Sequence, residues 1–118
     1  MIRSAAFLFS SQIAGEELLV PENFKIELFA SNVINARQLA LGDKGTIFVG
    51  TRKEGKVYAL VDSNHDGKAD KQYLIDDSLN MPSGVAYNNG ALYVAAVNRL
   101  LRYDNIEKQY LFINRIFC

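Results

Sequence analysis

Nine residues carry the sharpest chemical pattern in the chain, Asp62-Ser-Asn-His-Asp-Gly-Lys-Ala-Asp70. Asp62, Asn64 and Asp66 stand at alternating positions, Gly67 follows, and Asp70 is ninth. Alternating oxygen ligands with a glycine at the sharp turn match the first nine positions of an EF-hand loop. Three carboxylates and an amide suit a hard cation, calcium (Ca2+), in a structural role. The match stops at the twelfth position, where Tyr73 stands instead of a bidentate Glu. Asp76 or Asp77 would substitute only if the chain folds back. A solvated Asx-rich turn joining two strands is the competing reading. His65 is the sole histidine and the only unperturbed switch near neutral pH. It holds a non-ligand position in this loop and reads as exposed and inert. No nucleophile elbow, phosphate-cradling glycine loop, HExxH or Ser/His/Asp set is present, so no catalytic residue is nominated.

A second polar set contains Arg37, Arg52, Asn80 and Asn98, with Gln38 and Ser83 among them. Arginine forks suit carboxylates or phosphates. Whether these residues meet depends on the elements that carry them. The chain repeats itself: Asn35-Ala-Arg-Gln-Leu-Ala-Leu-Gly-Asp-Lys-Gly-Thr-Ile-Phe-Val-Gly reads like Asn80-Met-Pro-Ser-Gly-Val-Ala-Tyr-Asn-Asn-Gly-Ala-Leu-Tyr-Val-Ala. Gly90 follows Gly45, and Val94 follows Val49, at the same spacing of 45 residues. A period in this range, built of short strands and tight turns, is the signature of a β-propeller blade.

Strands are expected at Phe24–Phe29, Gln38–Leu41, Thr46–Gly50, Lys56–Val61, Gln72–Ile75, Gly84–Tyr87, Ala91–Ala95 and Leu100–Tyr103, where apolar and polar residues alternate. Gly42-Asp-Lys-Gly and Asn88-Asn-Gly supply hairpin turns, because Gly and Asn tolerate positive φ. The fold class is therefore all-β: a β-propeller fragment of about two four-stranded antiparallel blades, near 35–77 and 80–113. In such meanders alternate loops share an end. Arg37, Arg52, Asn80, Ser83 and Asn98 then belong to one face, the tunnel mouth where propellers bind ligands. The Asp43 turn, the Asn88 turn and the Asp62–Asp70 loop belong to the other. The alternative use of the first set is to bind neighbouring blades and satisfy loop carbonyls.

Thirteen basic and thirteen acidic residues cancel, which leaves no field to attract nucleic acid or an anionic membrane. No apolar run approaches the ~20 residues that span a bilayer. The single cysteine, Cys118, can form no internal disulfide. Residues 1–18 open with one positive charge, a short apolar stretch and small residues, which points to a signal-peptide remnant or to a disordered tail. A remnant signal implies a periplasmic or secreted protein. Residues 107–118 have β propensity and could add a fourth strand to the second blade. They carry no turn signal after them and are read as an atypical tail, left by truncation or a frameshift near Ile106.

Pro21–Ala30, Asn35–Gly42, Phe48–Arg52, Val61–Asp70 and Leu92–Arg99 together resemble the N-terminal part of sorbosone dehydrogenase-like proteins, relatives of the soluble glucose/sorbosone dehydrogenases. The resemblance runs from about Leu19 to about Glu107, the opening of that family's sequence. It implies a six-bladed propeller that binds pyrroloquinoline quinone (PQQ) and Ca2+ and oxidises a sugar or sugar aldehyde. Arg37, Arg52, Asn80 and Asn98, placed at the tunnel mouth by strand order, are then the candidates to face that cofactor, whose remaining basic partners come from later blades, while Asp62, Asn64, Asp66 and Asp70 stay the candidates for a structural Ca2+ on the opposite face. The family's catalytic histidine lies in a His-Gly segment that no part of this chain matches, and Ala96 stands where the family often has an acid. The chain alone is then expected to be inactive and to need missing blades or self-association. A non-enzymatic carbohydrate- or protein-binding propeller is the rival reading.

Overall fold

A computed structural model describes residues 8–13 and 16–109. The chain divides into two compact units, Met1–Ser31 and Asn32–Cys118. The first contains an antiparallel hairpin of β1 (Leu8–Ile13) and β2 (Glu16–Pro21), paired from Leu8 against Pro21 to Ile13 against Glu16. The signal-peptide reading falls partly on residues 1–7, 14 and 15, which lie outside the described residues. The strand expected over Phe24–Phe29 does not form. Alternation sorts side chains onto two faces, but a strand also needs a neighbour for its N–H and C=O groups. Phe24 and Leu28 remain 67% and 44% exposed.

The second unit holds two antiparallel sheets. The first is a meander of β3 (Ala36–Leu41), β4 (Ile47–Thr51), β5 (Val57–Val61) and β6 (Lys71–Asp76). The second is β7 (Gly84–Asn88), β8 (Ala91–Ala96) and β9 (Arg99–Tyr103). These segments are rich in β-branched and aromatic residues, and the turns match their chemistry. Gly45 takes φ +86° between β3 and β4. Asn89 and Gly90 both take positive φ, 48° and 84°, between β7 and β8, which sets a turn whose twist suits a hairpin.

The inner faces of the sheets form one core. Phe48, Val57, Ala59 and Ile75 from the first sheet meet Val85, Leu92 and Val94 from the second. Phe48 is fully buried and stacks on Tyr87, with ring centroids 5.9 Å apart and planes 9° from parallel. Burying a side chain of that size stabilises by roughly 1.5–3 kcal/mol. The packing leaves no room at Gly50, where a Cβ would stand 2.5 Å from the Pro82 carbonyl oxygen and 3.1 Å from the Val85 side chain of β7. Any side chain there would push the sheets apart.

The all-β expectation holds, as two stacked antiparallel sheets. The second has three strands among the described residues, not four. Residues 106–109 form a helical turn where the sequence suggests the start of a strand. Ile106 is fully buried in the core and Glu107 is 8% exposed, so these positions are integral to the fold. The rest of the expected tail, 110–118, lies outside the described residues.

Candidate ligand-binding face

Three backbone contacts gather the expected tunnel-mouth residues at one end of the sheet pair. The Arg52 N–H donates to the Asn35 carbonyl at 3.3 Å, and the Val97 N–H donates to the Asn80 carbonyl at 2.8 Å. The Gly50 contact with Pro82 and Ser83 joins the two groups. Arg37 occupies a register shift in the β3–β4 ladder, between Ala36 opposite Thr51 and Gln38 opposite Gly50. A bulge re-aims a side chain that would otherwise follow the pleat. Gln38 is held in place because its Oε1 accepts the Val85 N–H at 3.2 Å. Arg37, Gln38 and Ser83 line an open cavity of about 390 Å³ between the sheets. Arg37 and Arg52 are exposed, and among the described residues neither guanidinium has an ion pair or hydrogen bond. Asn80 and Asn98 are also exposed at this end but do not line the cavity.

The loop from Asp62 to Asp70 lies at the opposite end, after β5. Its carboxylates accept its own amides. Asp62 Oδ1 and Oδ2 take the N–H groups of Asp66 and Gly67 at 3.1 and 2.8 Å. Asp66 Oδ1 takes the Lys68 N–H at 3.0 Å. Asp70 Oδ1 takes the Ser63 N–H at 2.8 Å, and its Oδ2 takes the Ser63 hydroxyl. The Ser63 hydroxyl and then its amide hold the Asp70 carboxyl below its ordinary value. His65 and Gly67 supply the positive φ, 56° and 87°, that bends the loop. Asn64 is exposed. Among the described residues no group of three His, Cys, Asp or Glu is disposed to hold a metal.

Sequence reasoning missed a polar cluster at this same end. The Glu107 carboxylate accepts the Lys44 N–H at 2.9 Å and the Tyr87 hydroxyl at 3.0 Å. The Tyr87 hydroxyl also lies 3.2 Å from the Asp43 carboxylate. Burial, then the Glu107 contact, pushes the Tyr87 phenol up. A Cβ on Gly42 would collide with the Glu107 carboxylate, so that glycine makes the niche. Asp43, Tyr87, Asn105, Glu107 and Lys108 border a cavity of about 180 Å³. Nothing in the local pattern marks Glu107, because its partners are 20 and 63 residues away. A second link, Tyr103 hydroxyl to Asp76 Oδ2 at 2.6 Å, joins β9 to β6. Burial first, then Asp76, raises the Tyr103 phenol.

The comparisons with known proteins agree in extent with this architecture. A family model described as a domain of unknown function, DUF7133, matches residues 10–108. An uncharacterized protein of Borreliella burgdorferi (strain ATCC 35210 / DSM 4680 / CIP 102532 / B31) is 34% identical over 110 residues, which covers 87% of this chain and 27% of that protein. The chain thus spans about a quarter of that relative's length. No solved structure matches the chain significantly. The family match begins in β1, takes in both sheets and ends just past Glu107, and on that extent the chain belongs to the DUF7133 family.

Proposed function

We propose that this chain supplies two adjoining blades of a larger β-propeller and that the Arg37 end is its ligand face. One observation carries the reading: the open cavity between the stacked sheets, bordered by Arg37 on its bulge, Gln38 and Ser83, with Arg52 close in the fold and both guanidiniums unpaired among the described residues. Unengaged arginine forks beside amide and hydroxyl groups suit a ligand that bears carboxylates or many hydroxyls. The relative's greater length leaves room for further blades.

By likeness to sorbosone dehydrogenases, the ligands are PQQ and a sugar or sugar aldehyde. PQQ would accept hydride from the sugar when bound. In this chain Arg37 and Arg52 would hold the quinone's carboxylates as bidentate pairs, and Asn80 and Asn98 would donate at the rim. The test is a titration with PQQ followed by its absorbance. Saturable binding, weakened about tenfold or more by Arg37→Ala, is expected. Binding that ignores both Arg37→Ala and Arg52→Ala defeats the reading. The rival, a non-enzymatic carbohydrate- or protein-binding propeller, is favoured by the cavity lining itself, since Arg37, Gln38 and Ser83 include no general base at neutral pH. Sugar binding without any quinone binding selects it.

The proposal extends to Ca2+ at Asp62, Asn64, Asp66 and Asp70. Their spacing supports it. A carboxylate has about four lone-pair positions, so accepting an N–H leaves room for an ion. The carboxylates would have to turn toward a shared centre, which is a local change in an exposed loop.

A further inference from the structure

We propose that a second copy of this chain docks head to tail on the first, its first sheet against the outer face of the second sheet. The ladder registers carry the argument. Matching Val49 to Val94 makes the pairs Leu39–Val49 and Leu41–Ile47 equivalent to Val85–Val94 and Tyr87–Leu92. On the other face, Ala40–Phe48 becomes equivalent to Ala86–Tyr93. One strand further, Val57 opposite Gly50 is equivalent to Leu100 opposite Ala95.

The molecule uses this interface once, displays one half of it again on the second sheet and part of the other half on β3. In the packed interface, the Ala40, Phe48 and Val57 face of the first sheet meets the Val85, Leu92 and Val94 face of the second. The second sheet's outer face repeats the first of these as Ala86, Tyr93 and Leu100. Val57 is fully buried, yet its counterpart Leu100 is 70% exposed. The first sheet's outer face repeats part of the other half. Val85 is 8% exposed, yet its counterpart Leu39 is 63% exposed, and Leu41, the counterpart of Tyr87, is 64% exposed. Val49 and Leu60 on that face are already buried, which concentrates the open apolar area on β3.

Exposed apolar surface of this kind drives association. Because the halves differ, the contact that satisfies both is heterologous, and it repeats until it closes. Among the positions compared, Arg102 departs from the pattern, standing where Ala59 stands in the first sheet. Its charge is met by Asp104 at 2.9 Å, and its aliphatic stem can lie along a neighbour. Head-to-tail stacking keeps the Arg37 ends on one side of the assembly, so each new contact continues the ligand face. Three copies with two sheets each would supply six sheets. That closure rests on the propeller reading, but the contact itself does not.

The experiment is light scattering on the purified chain and on two variants, Leu41→Glu and Leu100→Glu, each checked for fold by circular dichroism. The wild type is expected to associate and each variant to be monomeric. An equimolar mixture should form a one-to-one dimer and stop, since each variant keeps the half that the other lacks. A monomeric wild type overturns the proposal, as does either variant dimerising alone or a mixture that stays monomeric. Leu39→Glu and Ala86→Glu replace a first variant that fails to fold. Association without quinone binding would sink the cofactor reading and leave this one standing.

Discussion

Single side chains here act by satisfying distant backbone. Glu107 is the clearest case: its carboxylate is buried and accepts an amide from a hairpin turn in the first sheet. Glu107→Ala leaves the Lys44 amide without that partner and opens space over Gly42, which should cost roughly 1–3 kcal/mol in urea denaturation. Glu107→Gln keeps an acceptor and should cost less. Equal stability of both variants with the wild type would refute the role. Asp70 offers a titration at the same scale. Its carboxyl is depressed below the ordinary 3.8, with the Ser63 hydroxyl as first cause. A depressed carboxyl contributes stability above its unfolded value, and the contribution is lost as pH falls through the folded value. In Ser63→Ala the Asp70 midpoint, read by carboxyl NMR, should rise toward 3.8 while the amide contact keeps part of the shift.

Elements were the most legible level of the sequence. The seven strands β3 to β9 fall where alternation and turn chemistry place them, because both faces of each sheet leave a mark in the pattern. Phe24–Phe29 alternates as well, yet makes no strand, since partner availability leaves no trace in local sequence. Residues 107–109 mislead in the same direction: their place at the head of a segment with β propensity suggests the start of a strand, whereas a buried site for Ile106 favours a turn of helix. The register shift at Arg37 was not legible, although Arg37 itself was singled out. For the Asp62–Asp70 loop the spacing was readable and the hydrogen bonding was not. If the loop takes Ca2+, its melting temperature should rise with the ion over chelator, and Asp66→Asn should reduce the rise. Identical melting with Ca2+ and with chelator removes the metal from the proposal.

At the scale of the whole molecule, the two sheets share one core and leave two unlike faces outward. The sequence repeat made the sheets legible, and the shared end of their loops followed from strand order alone. The distribution of burial did not follow, because Val57 and Leu100 look alike in sequence while one is covered and the other is not. No residue here matches the resembled family's catalytic histidine. Dye-linked oxidation of glucose or sorbosone by this chain, with PQQ and Ca2+ added, is therefore expected to be absent, and turnover would contradict that reading.

The Glu107 contact also has a bearing on synthesis. The turn that it completes belongs to a sheet translated well before it, with 63 residues between Lys44 and Glu107. At ~5–20 residues per second a ribosome needs roughly 3–13 s to cover that gap. Throughout that interval the niche over Gly42 stands open in the nascent chain, and Ile106 has not arrived to plug the core. The first sheet can thus form early, but its hairpin turn gains this partner only once Glu107 has been translated.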